Sequence, residues 1–279
     1  MPFEPQIGRV VLERGDGAAE LVFARSGSAS RLAHLFQRTP CRVLFPRPEP
    51  GAPPVAVLLT TSGGLTGGDR LRLDIGVRDN AAATVVSQAA EKIYRSLGPE
   101  CQIQVNVEVE QAWLEWLPQE TILFNGARLR RQTAVRVAEG GRFLGCEMVV
   151  FGRRAHGESF AAGFLHDAWR VHRADRLVWA DALRLEDDVA RIRAGPATLN
   201  GAEAMATVIY LAGNAADFLD IARSFLLEQG IRAAVSVVNG VLLARLLGDA
   251  VPVRHAMTGY LANMRQSAGG LLPRLPRVW

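Results

Sequence analysis

The sequence predicts a mainly β protein of stacked sheets with a small α/β part at its C-terminal end. Three observations lead there. Cys101, Ile103, Val105, Val107 and Val109 alternate with Gln102, Gln104, Asn106, Glu108 and Glu110, a period of two that marks a strand with one wet face. Weaker alternations of this kind recur through residues 1–200, parted by Gly, Pro and Asn turns, at a density that argues for stacked sheets. Beyond residue 200 the apolar spacing turns helical.

In chain order, strands are expected at 19–25, 30–36, 42–46 and 55–60. Next, Leu71, Leu73, Ile75 and Val77 oppose Arg70, Arg72 and Asp74 across one strand. Further strands follow at 82–87, 101–110, 127–137, 142–151, 160–171 and 175–185. In the 201–279 part, Asn214 is placed to cap a helix through Phe218, Ile221, Ala222 and Phe225 that Gly230 stops. A second helix opens at Pro252, carries Val253, Ala256, Met257, Tyr260, Leu261 and Met264 on one stripe, and ends at Gly269-Gly270. Between them, 232–238 and 241–247 read as a hairpin turning at Asn239-Gly240. Prolines keep the tail LLPRLPRVW extended, and it is expected to pack on its own chain. No low-complexity linker divides the chain, so residues 1–279 read as one domain. No fixed-period repeat is visible.

No stretch reaches eighteen apolar residues, and the start MPFEPQIGRV lacks the hydrophobic core of a leader, so a cytoplasmic protein is expected. Cys41, Cys101 and Cys146 form no CxxC and read as buried thiols in a reducing setting. Arginines cluster at 128–136, 153–154 and 170–176. Without interleaved aromatics they read as a solvated face or a surface for acidic proteins, not as a nucleic-acid site.

Chemistry concentrates in residues 60–96. Gly63-Gly64 and Gly67-Gly68 bracket Leu65 and Thr66 and run into Asp69, a loop able to bend sharply at a strand mouth. It lacks a P-loop ending, and a strand follows it, so no helix dipole faces an anion. Asp69 reads as a backbone cap within this glycine-built turn. Lys92 is the chain's one lysine; every other residue of the 32 Lys+Arg is arginine. If residues 91–95 are extended, Lys92 and Tyr94 share a face and Glu91 points opposite; if helical, Glu91 and Arg95 form an i,i+4 pair. In FGRRAHGESF, an extended course would set His156 and Glu158 on one face, close enough to share a borderline metal such as nickel, whereas Gly152 and Gly157 favour a turn with Glu158 held by an arginine. No HxH or HExxH spacing offers a stable metal site, and no GxSxG supports a serine hydrolase. A carbohydrate-active hydrolase with paired carboxylates, drawn from Asp69, Glu120 and Glu158, stays open as the enzymatic alternative.

Several spaced motifs together resemble the UreD (UreH) urease accessory protein family: SGGLTGGDRL, AAEKIYRS, WLEWLPQETILFNGA at 113–127, FGRRAHGESF at 151–160 and the terminal PRVW at 276–279. The resemblance spans most of the chain. It implies an irregular, β-helix-like stack of sheets, which the alternation alone does not separate from a sandwich. It implies a maturation chaperone without turnover of its own, bridging apo-urease and the helical partner UreF, with the GTPase UreG docking through UreF to couple GTP hydrolysis to nickel insertion. Nickel in transit, and no stably bound cofactor, is expected, with no nucleic-acid or membrane partner. Asp69, Lys92, Tyr94, Glu120 and Glu158 are then candidates to line or brace a polar conduit or to face a partner.

Overall fold

The structure, a computed structural model, describes residues 13–279; the leader expectation for residues 1–10 lies outside them. The chain opens with β1 (Asp16–Ser26), β2 (Ala29–Arg38), β3 (Cys41–Leu44) and β4 (Val55–Thr60). It then winds as a coil. Its first turn is β5 (Arg70–Val77), β6 (Ala82–Ser87) and β7 (Glu91–Ile93). Its second is β8 (Cys101–Val109), β9 (Trp113–Leu117) and β10 (Thr121–Leu123). The third is β11 (Arg128–Val137) and β12 (Arg142–Phe151), followed by β13 (Phe164–Arg173) and β14 (Arg176–Glu186). After the short α1 (Val189–Ala194) come β15 (Ala204–Leu211), α2 (Leu219–Leu227), β16 (Arg232–Val238), β17 (Val241–Gly248) and α3 (Ala250–Ser267).

The coil makes two facing sheets. One is seven-stranded in the order β14-β13-β11-β8-β5-β1-β2; the other is ten-stranded, with β16-β17-β15-β12-β9-β6-β4-β3 as its main path, β10 pairing with β12 and β7 with β10. β1, β5, β8, β11 and β13 run parallel to one another, as do β4, β6, β9 and β12, because each turn re-enters a sheet in the same direction. Antiparallel strands flank both ends. The mainly β, stacked-sheet, β-helix-like architecture with two helices in its C-terminal part therefore holds.

Corner positions fix the winding. Leu65 bridges Ile93, Ile93 pairs with Leu123, and Leu123 pairs with Phe151. All four side chains are essentially inaccessible to solvent. Each turn thus drops one apolar side chain onto the previous one, the inward ladder that a parallel coil requires. The loops between strands differ in length, so no constant period survives in the sequence.

Burial explains which strands alternate. The seven-stranded sheet covers its partner with one face and leaves the other wet, so β8 and β11 alternate between buried and accessible residues. The ten-stranded sheet is covered twice, by the other sheet and by α2 and α3. Its central strands lose the alternation: β15 is buried throughout and β12 at all but its first residue. For that reason β9 and β15 do not stand out by period two, and β10, three residues long, is too short to show one.

Three local expectations are corrected. Asn214 forms no capping bond; a 3-10 turn at Ala215–Phe218 intervenes before α2, and the Asn214 side chain accepts from Tyr210 instead. α1 interrupts the region read as strands alone, capped by Asp188, which accepts from Arg191 N at 3.0 Å. α3 starts at Ala250, ahead of Pro252. The hairpin turns as expected, with Asn239 and Gly240 both at positive φ.

If the corner ladder holds the coil together, Leu123→Ala should lower unfolding free energy by about 2–5 kcal/mol, as large-to-small changes at buried sites do. Leu227→Ala, at an exposed position on α2, should stay within about 0.5 kcal/mol of the unaltered protein. Chemical denaturation followed by circular dichroism measures both.

Candidate functional site

Between the sheets the coil leaves a cavity of about 330 Å3. Its walls are largely apolar, with Leu58, Leu71, Ile103 and Trp116 among them, and polar groups intrude at two levels. At the mouth stand Thr60, Gly63, Gln88, Glu91, Lys92 and Gln119; at the inner end stand Thr121, Arg131 and Glu147. A smaller hollow of about 20 Å3 lies beyond Glu147, lined also by Asp167, Asp181 and Thr207. Glu147 is the wall common to both.

Local backbone decides what faces inward. Residues 91–93 are extended, so Lys92 lies on the exposed side while Glu91 shares the inward parity of Ile93. Glu91 pairs in register with Thr121 of β10, one rung from the Ile93–Leu123 step of the corner ladder. Its carboxylate takes a hydrogen bond from Thr60 Oγ1 at 3.3 Å. Enclosure raises its pKa to about 7; the Thr60 bond, the Lys92 backbone N–H and the Arg131 charge offset only part of that rise. Glu91 is therefore poised to exchange a proton near neutrality.

The inner end is a buried charge cluster. Arg131 donates through Nε to Asp167 Oδ1 at 3.0 Å, through Nη2 to Asp167 Oδ2 at 2.6 Å and through Nη1 to Thr121 Oγ1 at 2.8 Å. It also pairs with Glu147, which accepts the Trp169 indole N–H. One guanidinium thus serves two carboxylates. Burial lifts the Glu147 pKa, the Arg131 charge only partly opposes that, and the neighbouring Asp167 adds to it. On Arg131 itself, burial works against the charge, but Asp167 and Glu147 outweigh it and raise the pKa.

The outer wall of the mouth is pinned from the C-terminus. Trp279 Nε1 donates to Leu117 O at 2.6 Å, and Arg254 of α3 stacks over the Trp279 ring at 5.2 Å. Arg254 also donates to Trp279 O at 3.1 Å and to Gln119 Oε1 at 3.0 Å, and pairs with Glu120. The Gln119 side chain donates to Val278 O and to Gln88 O. The tail therefore packs on its own chain, and Glu120 is engaged outside the cavity; its backbone carbonyl accepts the Glu91 N–H at 2.9 Å.

The remaining candidates lie elsewhere. Asp69 is buried and caps backbone: Oδ1 accepts from Gly15 N at 2.8 Å and Oδ2 from Thr66 N at 2.7 Å. Tyr94 donates to Gly63 O at 3.0 Å and meets Phe124 edge-on with centroids 4.9 Å apart. Arg153 covers the same Phe124 at 4.0 Å and pairs with Glu158, which also accepts from Asn125 N at 2.7 Å. Arg153 holds Glu158 below the usual carboxylate range. Tyr94 and Glu158 thus belong to one outward stack. Residues 154–156 form a 3-10 turn closed by a left-handed Gly157, so His156 is exposed and Glu158 is committed to Arg153. Of the five conduit candidates, Lys92 alone lines the cavity. The carboxylates considered for hydrolysis, Asp69, Glu120 and Glu158, are each taken up by separate partners.

The sequence reading missed Arg131, Glu147 and Asp167 as site residues, and it named Glu91 without counting it among them. A signal existed: Arg131 shares the inward parity of Leu129, Thr133, Val135 and Val137, and Glu147 interrupts a near-continuous apolar run. Cys41, Cys101 and Cys146 are free and buried, and burial pushes the Cys41 thiol up to about 11. Among the described residues no group of three or more His, Cys, Asp or Glu side chains is arranged to hold a metal, and no helix is long and apolar enough to cross a membrane.

Fold and site define a β-coil protein with a largely apolar internal chamber into which Glu91 and Glu147 intrude, and with one broad wet sheet face. Comparison with known proteins places it more narrowly. Residues 15–279 match the family model described as UreD urease accessory protein. A urease accessory protein UreD of Magnetococcus marinus is 43% identical over 270 residues, covering 94% of this chain and 93% of the relative. Those of Granulibacter bethesdensis and Xanthobacter autotrophicus are 44% identical over 238 residues and 37% over 284, covering 85% and 100% of this chain and 99% and 96% of the relatives. The chain belongs to the UreD urease accessory protein family, and its role lies in urease maturation.

The raised pKa of Glu91 has a defined consequence. The folded state keeps the proton above pH 4.5, where the unfolded chain has lost it, so stability falls as pH rises from about 4.5 to about 7. Glu91→Gln removes that slope. The variant should gain about 2 kcal/mol on the unaltered protein between pH 4.5 and 7.5, after allowance for partial exposure. Denaturant titrations at a series of pH values read the difference.

Proposed function

We propose that this chain is a non-catalytic scaffold that bridges apo-urease and UreF, with UreG docking through UreF, so that GTP hydrolysis drives nickel into the urease active site. It works in the cytoplasm and holds no stable cofactor. Nickel is cargo. The observation that carries this reading is the chamber whose mouth holds Glu91 and whose inner end holds Glu147, within a member of a urease maturation family.

The donor set suits passage more than retention. Nickel binds imidazole and thiolate well, whereas here the donors are scattered carboxylate and hydroxyl oxygens and one thiol, Cys41, whose pKa burial pushes up to about 11 and so keeps from the thiolate form. Arg131 already occupies Asp167 and Glu147, leaving Glu91 as the carboxylate with the fewest competing partners along the wall. Among the earlier candidates Lys92 stands at the mouth. Asp69 and Glu120 brace the loops around it, and Tyr94 and Glu158 remain partner-facing.

In a urease-positive cell, deleting the gene should leave urease assembled, nickel-poor and almost inactive; nickel analysis and activity of the purified enzyme measure this. Restoring the gene with Glu91→Ala should return only a small part of the activity while the variant still co-purifies with apo-urease and UreF. Fully nickel-loaded, active urease from the deletion strain refutes the proposal. Full activation by Glu91→Ala removes Glu91 from the path.

A further inference from the structure

Leu58, Leu71, Leu73, Ile103, Val105 and Trp116 give the chamber an apolar wall, and its volume of about 330 Å3 lies at the lower end of the range for small-molecule sites. An ion in passage makes no use of such a wall. A compact organic molecule does, because hydrocarbon placed there leaves water and meets packed side chains. Leu73 shares the inward parity of Leu71 and Ile75 on β5, yet part of its surface stays uncovered where it fronts this open volume.

The polar groups select the charge of such a molecule. At the inner end all three nitrogens of Arg131 already donate, Nε and Nη2 to Asp167 and Nη1 to Thr121, and the same guanidinium pairs with Glu147. It is committed, and an anion lodged in the chamber would meet Glu147 and Glu91 besides. At the mouth the balance is reversed. Glu91 forms no salt bridge among the described residues, and its two oxygens share one hydroxyl donor, Thr60 Oγ1, at 3.5 and 3.3 Å. Lys92 follows it on the extended β7 and so lies on the opposite, exposed side. An ammonium offers Glu91 three charge-assisted donors, and the Trp116 ring attracts a desolvated cation.

We infer that the chamber is a binding site for a small organic cation, a primary ammonium on a compact apolar body, with the ammonium at Glu91 and the body against Leu73, Ile103 and Trp116. This use is additional to the passage of nickel proposed above and does not depend on it.

The probe is benzylamine, with benzoate as the same ring carrying the opposite charge and benzyl alcohol as the neutral counterpart. In calorimetric titrations of the purified full-length chain, benzylamine should bind about tenfold or more tightly than benzyl alcohol, and benzoate should not bind. The titratable and charged groups that share the chamber with Glu91 are Cys41 of β3, Lys92 of β7, Arg131 of β11 and Glu147 of β12. Cys41 stays a thiol, and Glu147 is held by Arg131 and the Trp169 indole. Benzylamine affinity should therefore rise about tenfold between about pH 6 and about pH 8 as Glu91 loses its proton, the amine staying charged throughout. Glu91→Gln should remove most of that rise and weaken benzylamine about tenfold at the upper pH, with benzyl alcohol within about twofold of its affinity for the unaltered chain. Leu73→Trp fills the chamber but keeps Glu91; it should abolish binding of both compounds while the circular dichroism spectrum stays unchanged. Benzoate binding as tightly as benzylamine, unchanged benzylamine affinity in either variant, or no benzylamine binding at roughly 10 mM would each overturn the assignment. The titrations use neither urease nor nickel, so their failure and that of the maturation proposal are separate results.

Discussion

A parallel β-coil can climb only if each turn rounds its corner with an apolar side chain directed inward, and Leu65, Ile93, Leu123 and Phe151 meet that condition in succession. Their stacking sets the register of everything beside them. One rung inward, Glu91, Thr121 and Val149 align. One residue outward, Tyr94 and Phe124 come together, with Arg153 over the second ring. The chamber and the outward stack are therefore two sides of one corner. A register slip of a single residue would exchange them, sending Glu91 to solvent and Lys92 into the core.

In the two buried layers of the protein, charge is retained where hydrocarbon would pack as well. The Arg131–Glu147–Asp167 cluster and the Glu115–Arg265 pair, the latter at 2.7 Å and joining α3 to the ten-stranded sheet, are both buried. Such groups seldom stabilise a fold more than apolar residues of the same volume, because desolvation offsets their attraction. Removing one partner is another matter, since the survivor is left charged and unpaired. Glu115 fits this picture: burial raises its pKa, Arg265 and Thr84 oppose the rise, and the pair anchors the helix whose Arg254 fixes the tail. Within the chamber, Arg131 engages Glu147 and Asp167, and Glu91 is left comparatively free.

How legible this was differed by residue. The strand at 101–110 announced itself because one of its faces is wet, whereas β15 was silent because both of its faces are covered. Two courses stayed open for residues 91–95, and the extended one holds at residues 91–93, with Glu91 opposite Lys92. Arg131 was lost among neighbouring arginines that point outward, although its parity with Val135 and Val137 set it apart. Asp69 was seen as a possible cap, and it is one. Glu158 was seen as a possible arginine partner, and the turn at 154–156 makes it so.

Period-two patterning, glycine and proline punctuation and helical spacing were enough for a mainly β class and most of its elements, since these depend on local backbone preference and on whether a face is wet; the likeness to one family, and with it the β-helix-like winding, rested on the spaced motifs. Which charges meet was settled by the winding. Arg131 reaches Asp167 across 36 positions of chain, and Glu115 reaches Arg265 across 150. Contacts at such separations follow from how many residues each loop inserts between turns, and that number follows no local rule. The chamber, and the choice of Glu91 over Asp69 as the carboxylate at its mouth, exist only once the turns are stacked.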